Sequence, residues 1–325
     1  MSEEYLWDRS GPPDPEIERL ERTLGPLRYR HRGEVNREMP KRPRIWWAAA
    51  AAVALAAAGL SQLAAPGAGN TGWQVTNLEG AARMGDRSAA VSMQVRAGQV
   101  LRTAGGSEIS LQADDVGKID LGPDSELRAA TDRKVLLQRG MLHAFIWAPP
   151  REFEVDTPGA RAVDLGCEYT LNVDDAGRGL LKVSLGWVAF QFGDHESFIL
   201  AGAECVTHKR TGPGIPYYAD SADGFREALS GFEHGDGAAP DAALGRILAT
   251  ARPRDGLTLW HLLTRVPERE RGVVFDRFAQ LVTLPPEVSR AGVLRKDAHA
   301  LDLCWNALGL ENTGWWRGWE RRWNQ

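Results

Sequence analysis

Between Trp73 and about Lys209, apolar residues recur at every second position, and that period admits strands rather than helices. Glu152-Phe153-Glu154-Val155-Asp156 alternates, as does Tyr169-Thr170-Leu171-Asn172-Val173-Asp174. Leu181, Val183 and Leu185 alternate, and after Gly186 so do Val188, Phe190 and Phe192. Turn signals separate the runs: Gly105-Gly106, Thr157-Pro158-Gly159, Asp174-Asp175-Ala176-Gly177 and Gly193-Asp194. Short strands so punctuated predict an all-β unit over 73–212, as a sandwich, roll or short β-solenoid. The clearest hairpin joins 168–174 to 180–185.

From Ser221 the period becomes 3.6, so 221–325 is expected to be a C-terminal all-α bundle of four or five helices. Leu259, Leu262, Leu263 and Val266 mark one face, and Val274, Phe278 and Leu281 a second. Leu294, Ala298, Leu301, Trp305 and Leu308 form a third that stops at Gly309. Asp223, Asp241 and Asp255 are candidate helix caps, and Trp315, Trp319 and Trp323 are spaced by four.

Upstream, 45–65 reads IWWAAAAAVALAAAGLSQLAA, 21 residues without a charge. A helix of that length spans roughly 30 Å, so the expectation is one transmembrane helix. Arg28, Arg30, Arg32, Arg37, Lys41, Arg42 and Arg44 precede it, and 66–82 hold no Lys or Arg. That bias predicts a cytoplasmic N-terminus and C-terminal domains on the far side of the membrane. The arm, 1–44, carries Asp14-Pro15-Glu16 as a helix start, then Ile17, Leu20, Leu24 and Leu27 at helical spacing. With Trp7 ahead, that apolar stripe has no core of its own and calls for a partner or a membrane surface.

The whole chain of 325 residues has a net charge of −4, with 25% charged and 43% apolar residues. Those values exclude wholesale disorder and a polytopic membrane protein, and argue against direct nucleic-acid binding. No catalytic fingerprint stands in a suitable context, so neither an enzyme nor a cofactor is expected. The acidic pairs Asp114-Asp115 and Asp174-Asp175 fall in turns, and Cys205-x-x-His208 is a metal-like spacing without a second half. Cys167 and Cys205 sit near strand starts on the expected exported side, which makes them a candidate disulfide closing a loop of about 38 residues.

Within 149–206, Phe153, Val155, Thr157, Pro158, Gly159, Val163, Gly166, Tyr169 and Leu171 fall on one recurring pattern. Val183, Gly186, Val188, Leu200, Ala201 and Gly202 continue it. The stretch resembles the FecR domain, with leading strands near 97–103 and 119–127. Cys167 stands where that family has Thr, and Glu204 where it often has Gln. The resemblance implies an anti-sigma factor anchored in the bacterial plasma membrane, its C-terminal domains extracytoplasmic, that controls an extracytoplasmic-function sigma factor in response to an envelope signal. Its partners would be the sigma factor inside and an envelope protein or ligand outside. Trp7, Ile17, Leu20 and Leu24 would then contact the sigma factor. The alternative is an anchored, exported ligand- or protein-binding module with no transcriptional role.

Overall fold

The computed structural model divides into Met1–Gly67 and Ala68–Gln325, and it describes residues 72–193, 195–234 and 240–310. The strands come first in the chain. They are β1 (Trp73–Glu79), β2 (Ala82–Met84), β3 (Arg87–Ser88), β4 (Gln94–Val95), β5 (Val100–Thr103), β6 (Glu108–Ala113), β7 (Gly117–Leu121) and β8 (Glu126–Ala129). There follow β9 (Lys134–Ile146), β10 (Glu154–Asp156), β11 (Arg161–Val173), β12 (Gly179–Phe192), β13 (His195–Leu200), β14 (Ala203–His208), β15 (Gly212–Pro213) and β16 (Tyr217–Tyr218). The helices are α1 (Asp223–His234), α2 (Pro240–Thr250), α3 (Gly256–Arg265), α4 (Glu268–Leu281), α5 (Arg290–Leu294) and α6 (Ala298–Ala307).

Three long strands organise the sheet, because each changes its lateral partner halfway along. The first half of β9 pairs with β8 and, in parallel, with β10; its second half pairs with β7 and β11. The first half of β11 pairs with β10 and its second half with β9. Along its whole length β12 pairs with β11, while its other edge takes β14 first and β13 afterwards. The changeovers fall at Gly140, Gly166 and Gly186, whose φ values are +92°, +87° and +70°. Positive φ at mid-strand breaks the pleat and turns the strand, which only glycine does at low cost. The sheet therefore folds into two leaves. One runs β4-β1-β6-β7-β9-β11-β12-β14-β15; the other runs β3-β2-β5-β8-β9-β10-β11-β12-β13. Trp73 of the first leaf meets Phe153, beside β10 in the second, with ring centroids 5.6 Å apart.

The phase of burial slips at the same glycine. Leu181 and Val183 are buried and Leu185 is 56% exposed, after which Val188 and Phe190 are buried. Equal spacing in sequence predicts Leu185 inward; the irregular pairing between Asp164 and Tyr169 breaks the alternation there, and beyond Gly186 residues 187–190 are all buried. The hairpin expected over 168–174 and 180–185 is present, with Glu168 opposite Leu185 and Val173 opposite Gly179, and both of its strands continue beyond it through Gly166 and Gly186.

The expected fold class needs correction. The described residues form a mostly β body whose strands and C-terminal helices share one hydrophobic core, not an all-β domain beside an all-α bundle. Trp305 of α6 packs against Trp187 and Phe198 of the sheet at 5.9 and 5.6 Å, and against Trp260 of α3 at 4.7 Å. A period of 3.6 shows that a helix has an apolar face but not what covers it, and here a sheet does. Among the described residues no helix is long and apolar enough to cross a membrane. The segment 45–65, the arm 1–44 and the tryptophans at 315, 319 and 323 lie outside the described residues.

Two helical expectations also change. The single run from Leu294 to Leu308 is broken: α5 ends, Lys296 takes φ +59°, and the Asp297 carboxylate accepts the Ala300 N–H to start α6. Asp255 does not cap α3 with its side chain; instead it accepts the Arg252 N–H at 2.8 Å, closing the short 3-10 turn Pro253–Asp255. It is buried and accepts bonds from Ser221 Oγ at 3.1 Å and Arg252 Nε at 3.0 Å.

Candidate functional site

The residues that carry the sequence pattern meet at one corner. Thr157, just after β10, opens the turn into β11: its Oγ1 accepts the N–H groups of Gly159 at 3.3 Å and Ala160 at 3.0 Å. The same hydroxyl donates to the Ala160 carbonyl at 2.8 Å. Three roles for one oxygen explain why a short hydroxyl residue opens this turn. Pro158 and Gly159 press it against two other turns. A Cβ on Gly159 would stand 3.0 Å from the His208 carbonyl carbon. One on Gly177 would stand 3.1 Å from Pro158 Cβ and 3.5 Å from Lys209 Cδ. The turns at 157–160, 174–178 and 208–212 thus form one surface.

Two clefts flank that surface. The larger, about 780 Å³, is lined by Asp174, Arg178, His208, Lys209 and Arg210 among others. The smaller, about 430 Å³, lies over Asp156, Thr157, Arg161 and Gln191. Their electrostatics differ. Beside the smaller cleft the charges pair off: Arg161 Nε lies 2.8 Å from Asp156, and Lys134 Nζ is 3.0 Å from both Glu154 and Asp156. In the larger, Arg178 meets Asp174 at 3.5 Å, and that is the one acid among the lining residues.

The other pattern residues hold the corner in shape. Phe153, Val155 and Tyr169 are buried in the shared core. Gly186 lies opposite Cys167 across β11 and β12, and a Cβ on Gly186 would stand 1.9 Å from the Gly166 carbonyl oxygen. Gly202, φ +82°, turns β13 into β14 beneath the Arg254 guanidinium. Between Asp164 and Cys167 the ladder is irregular, and the Asp164 carboxylate fills the gap, accepting the Gly166 N–H at 2.7 Å and the Cys167 thiol. Burial pushes Asp164 up to about 7, against the lowering effect of those two bonds. The sequence reading passed over Asp164; its signal was a carboxylate between apolar neighbours, two residues before a glycine.

The candidate disulfide is corrected. Cys167 and Cys205 are separate free thiols, both buried. Cys167 lies opposite Gly186 of β12, whereas Cys205 lies opposite Leu181 of the same strand. Five residues of strand are about 16 Å, far outside the Cα separation of about 4–7 Å that a disulfide spans. Both sit close to strand starts in sequence, but the pairing register carries them apart. Burial pushes each thiol upward, and near Cys167 the Asp164 charge adds to the shift.

A second set of residues missed by sequence reading joins helices to sheet. His261 of α3 accepts the Phe198 N–H on Nε2 at 3.1 Å and contacts the Leu257 carbonyl through Nδ1 at 2.9 Å. A ring nitrogen that accepts must be unprotonated, so the proton sits on Nδ1. Burial lowers His261 to about 3, and Arg265 reinforces the shift. Arg265 Nη1 donates to the Pro213 carbonyl at 2.9 Å, and its Nη2 to Ser197 Oγ at 2.5 Å. Glu233 of α1 accepts the Ile215 N–H, and burial raises it to about 7. Among the described residues, no three His, Cys, Asp or Glu are placed to hold a metal. The stripe residues Trp7, Ile17, Leu20 and Leu24 lie outside the described residues.

Residues 99–189 match the family model described as FecR protein. No curated protein matches the chain. Two solved structures of a candidate anti-sigma factor from Parabacteroides distasonis ATCC 8503, at 1.65 Å and 2.50 Å, are similar in part. They share 16% and 15% identity over 37% of this chain, with TM-scores of 0.32 and 0.31. This chain covers 59% of the length of each. The segment from Gln99 to Ala189, which supplies β9, β10, β11 and the Thr157 turn, is the part of the chain that matches the FecR family model.

Proposed function

We propose that this protein regulates a sigma factor through a FecR domain, by binding rather than by catalysis. The observation that carries the reading is the FecR match over 99–189, whose Thr157, Pro158 and Gly159 form a shaped corner beside two clefts. The finer form of the proposal is control of an extracytoplasmic-function sigma factor in answer to an envelope signal. The contact with that factor falls to Trp7, Ile17, Leu20 and Leu24. The test is co-purification of the full chain with a small sigma factor encoded beside it, together with a reporter of that factor's promoters. Each buried Leu is worth about 1.5–3 kcal/mol, so Leu20→Asp with Leu24→Asp should weaken binding by about two to four orders of magnitude and release the reporter. A double variant that represses like the unaltered protein overturns the assignment.

The corner favours a second reading, a ligand- or protein-binding module without a transcriptional role. Two clefts at one set of turns support it. No retention of any sigma factor by the full chain, with ligand binding at the corner intact, would select it.

A further inference from the structure

We propose that the cleft between the 174–178 and 208–212 turns binds a small multivalent oxyanion, phosphate- or carboxylate-bearing. Arg178, Lys209 and Arg210 line it against a single acid, Asp174, which leaves two more cationic side chains than acidic ones. Lys209 and Arg210 make no ion pair among the described residues, and their side chains are exposed. This local excess stands out in a chain whose net charge is −4. The neighbouring cleft shows the contrast: its Arg161 is held between Asp156 and Glu154 at 2.8 and 3.5 Å, so its charge is spent internally. Three like charges drawn to one place repel each other unless an anion sits among them, and guanidinium groups match the geometry of oxyanions.

The backbone fixes the cluster in place. Arg178 sits at the end of the 174–178 turn, where its N–H donates to Asp174 Oδ1 at 2.8 Å. Lys209 and Arg210 sit on the turn between β14 and β15, whose ends are tied by pairing of His208 with Gly212. Pro158 and Gly159 fill the space behind both turns, leaving the cations facing outward over about 780 Å³, a volume in the range of small-ligand sites. The inference does not depend on the sigma-factor reading; the site would exist in either function.

The experiment is calorimetric titration of the full chain with pyrophosphate and, separately, with citrate, at low and at moderate salt. Saturable binding of one or both is expected, weakening as salt rises. Pyrophosphate alone would assign the site to phosphate groups, citrate alone to carboxylates, and both to oxyanions in general. Lys209→Gln with Arg210→Gln should weaken binding at least about tenfold while the circular dichroism spectrum stays unchanged. Arg128→Gln, an exposed cation on β8, should leave binding within about twofold, which separates a site from overall charge. Absence of saturable binding by either anion overturns the proposal. So does binding that survives in the double variant, or that Arg128→Gln weakens equally.

Discussion

The backbone N–H of Phe198, on β13 at the free edge of its leaf, donates to Nε2 of the buried His261, 3.1 Å away on α3. An open strand edge invites pairing with another chain, and here a helix closes it with a side-chain acceptor. The bond ties the second leaf to the helical region. It also requires a neutral imidazole, because a protonated ring has no lone pair to offer.

Stability should therefore depend on pH through His261. Its folded value of about 3 lies below its ordinary 6.5, so its contribution is complete above about pH 6.5 and is lost as pH falls through about 3. Asp164 is raised from 3.8 to about 7, so its contribution is present below about 4 and is lost as pH rises through about 7. Urea denaturation of His261→Gln should show a deficit about 2 kcal/mol larger at pH 7 than at pH 5. For Asp164→Asn the order reverses, with a deficit about 2 kcal/mol larger at pH 5 than at pH 8. Equal deficits at both pH values would remove the burial argument.

Helices and sheet should unfold together. Trp305→Ala removes an indole held between Trp187, Phe198 and Trp260, and should cost about 3–5 kcal/mol in one cooperative transition. Truncation after residue 212 removes Trp305 from Trp187 and Phe198, which the intact protein buries, and should give an aggregating product. A soluble, cooperatively folding fragment of 73–212 would show that the shared core is dispensable to the sheet.

Glycine should be needed at Gly186 for two reasons and at Gly98 for one. Both have positive φ, +70° and +86°, but a Cβ on Gly98 meets nothing within 4 Å. Gly98→Ala should cost about 1–2 kcal/mol, and Gly186→Ala, which drives a methyl into the Gly166 carbonyl, at least about twice as much. Chemical denaturation of both variants decides it.

Thiol titration should find the cysteines reduced. In denaturant and without reductant, all three should react, and in the folded protein all should be slow, since each is buried. Burial raises Cys304 to about 12, and the other two thiols also rise. A melting temperature that drops on adding reductant would point to a bond the register forbids.

Local order was legible where one residue's neighbours in sequence are also its neighbours in space. Alternation marked Phe153, Val155, Tyr169 and Leu171 as buried, and they are. The 3.6 period placed Leu259, Leu262 and Leu263 on an inward face, also correctly. The Thr157-Pro158-Gly159 turn was visible because a hydroxyl, a fixed φ and a missing Cβ act within four residues. The cleft beside it was not visible: Arg178, Lys209 and Arg210 become neighbours only when two hairpins with separate turns abut.

The sequence by itself determined where the strand-rich and helix-rich stretches lie, the turns at Thr157-Pro158-Gly159 and Asp174-Asp175-Ala176-Gly177, and the FecR-like pattern, because period, turn chemistry and glycine placement are local properties. Tertiary structure alone decided partners. Pairing register put Cys167 and Cys205 opposite residues five apart on β12, and the folding of three strands at their glycines brought Trp73 onto Phe153. The sheet, not a bundle, received the apolar faces of α3 and α6, since an apolar face fixes how much surface must be covered and leaves open what covers it.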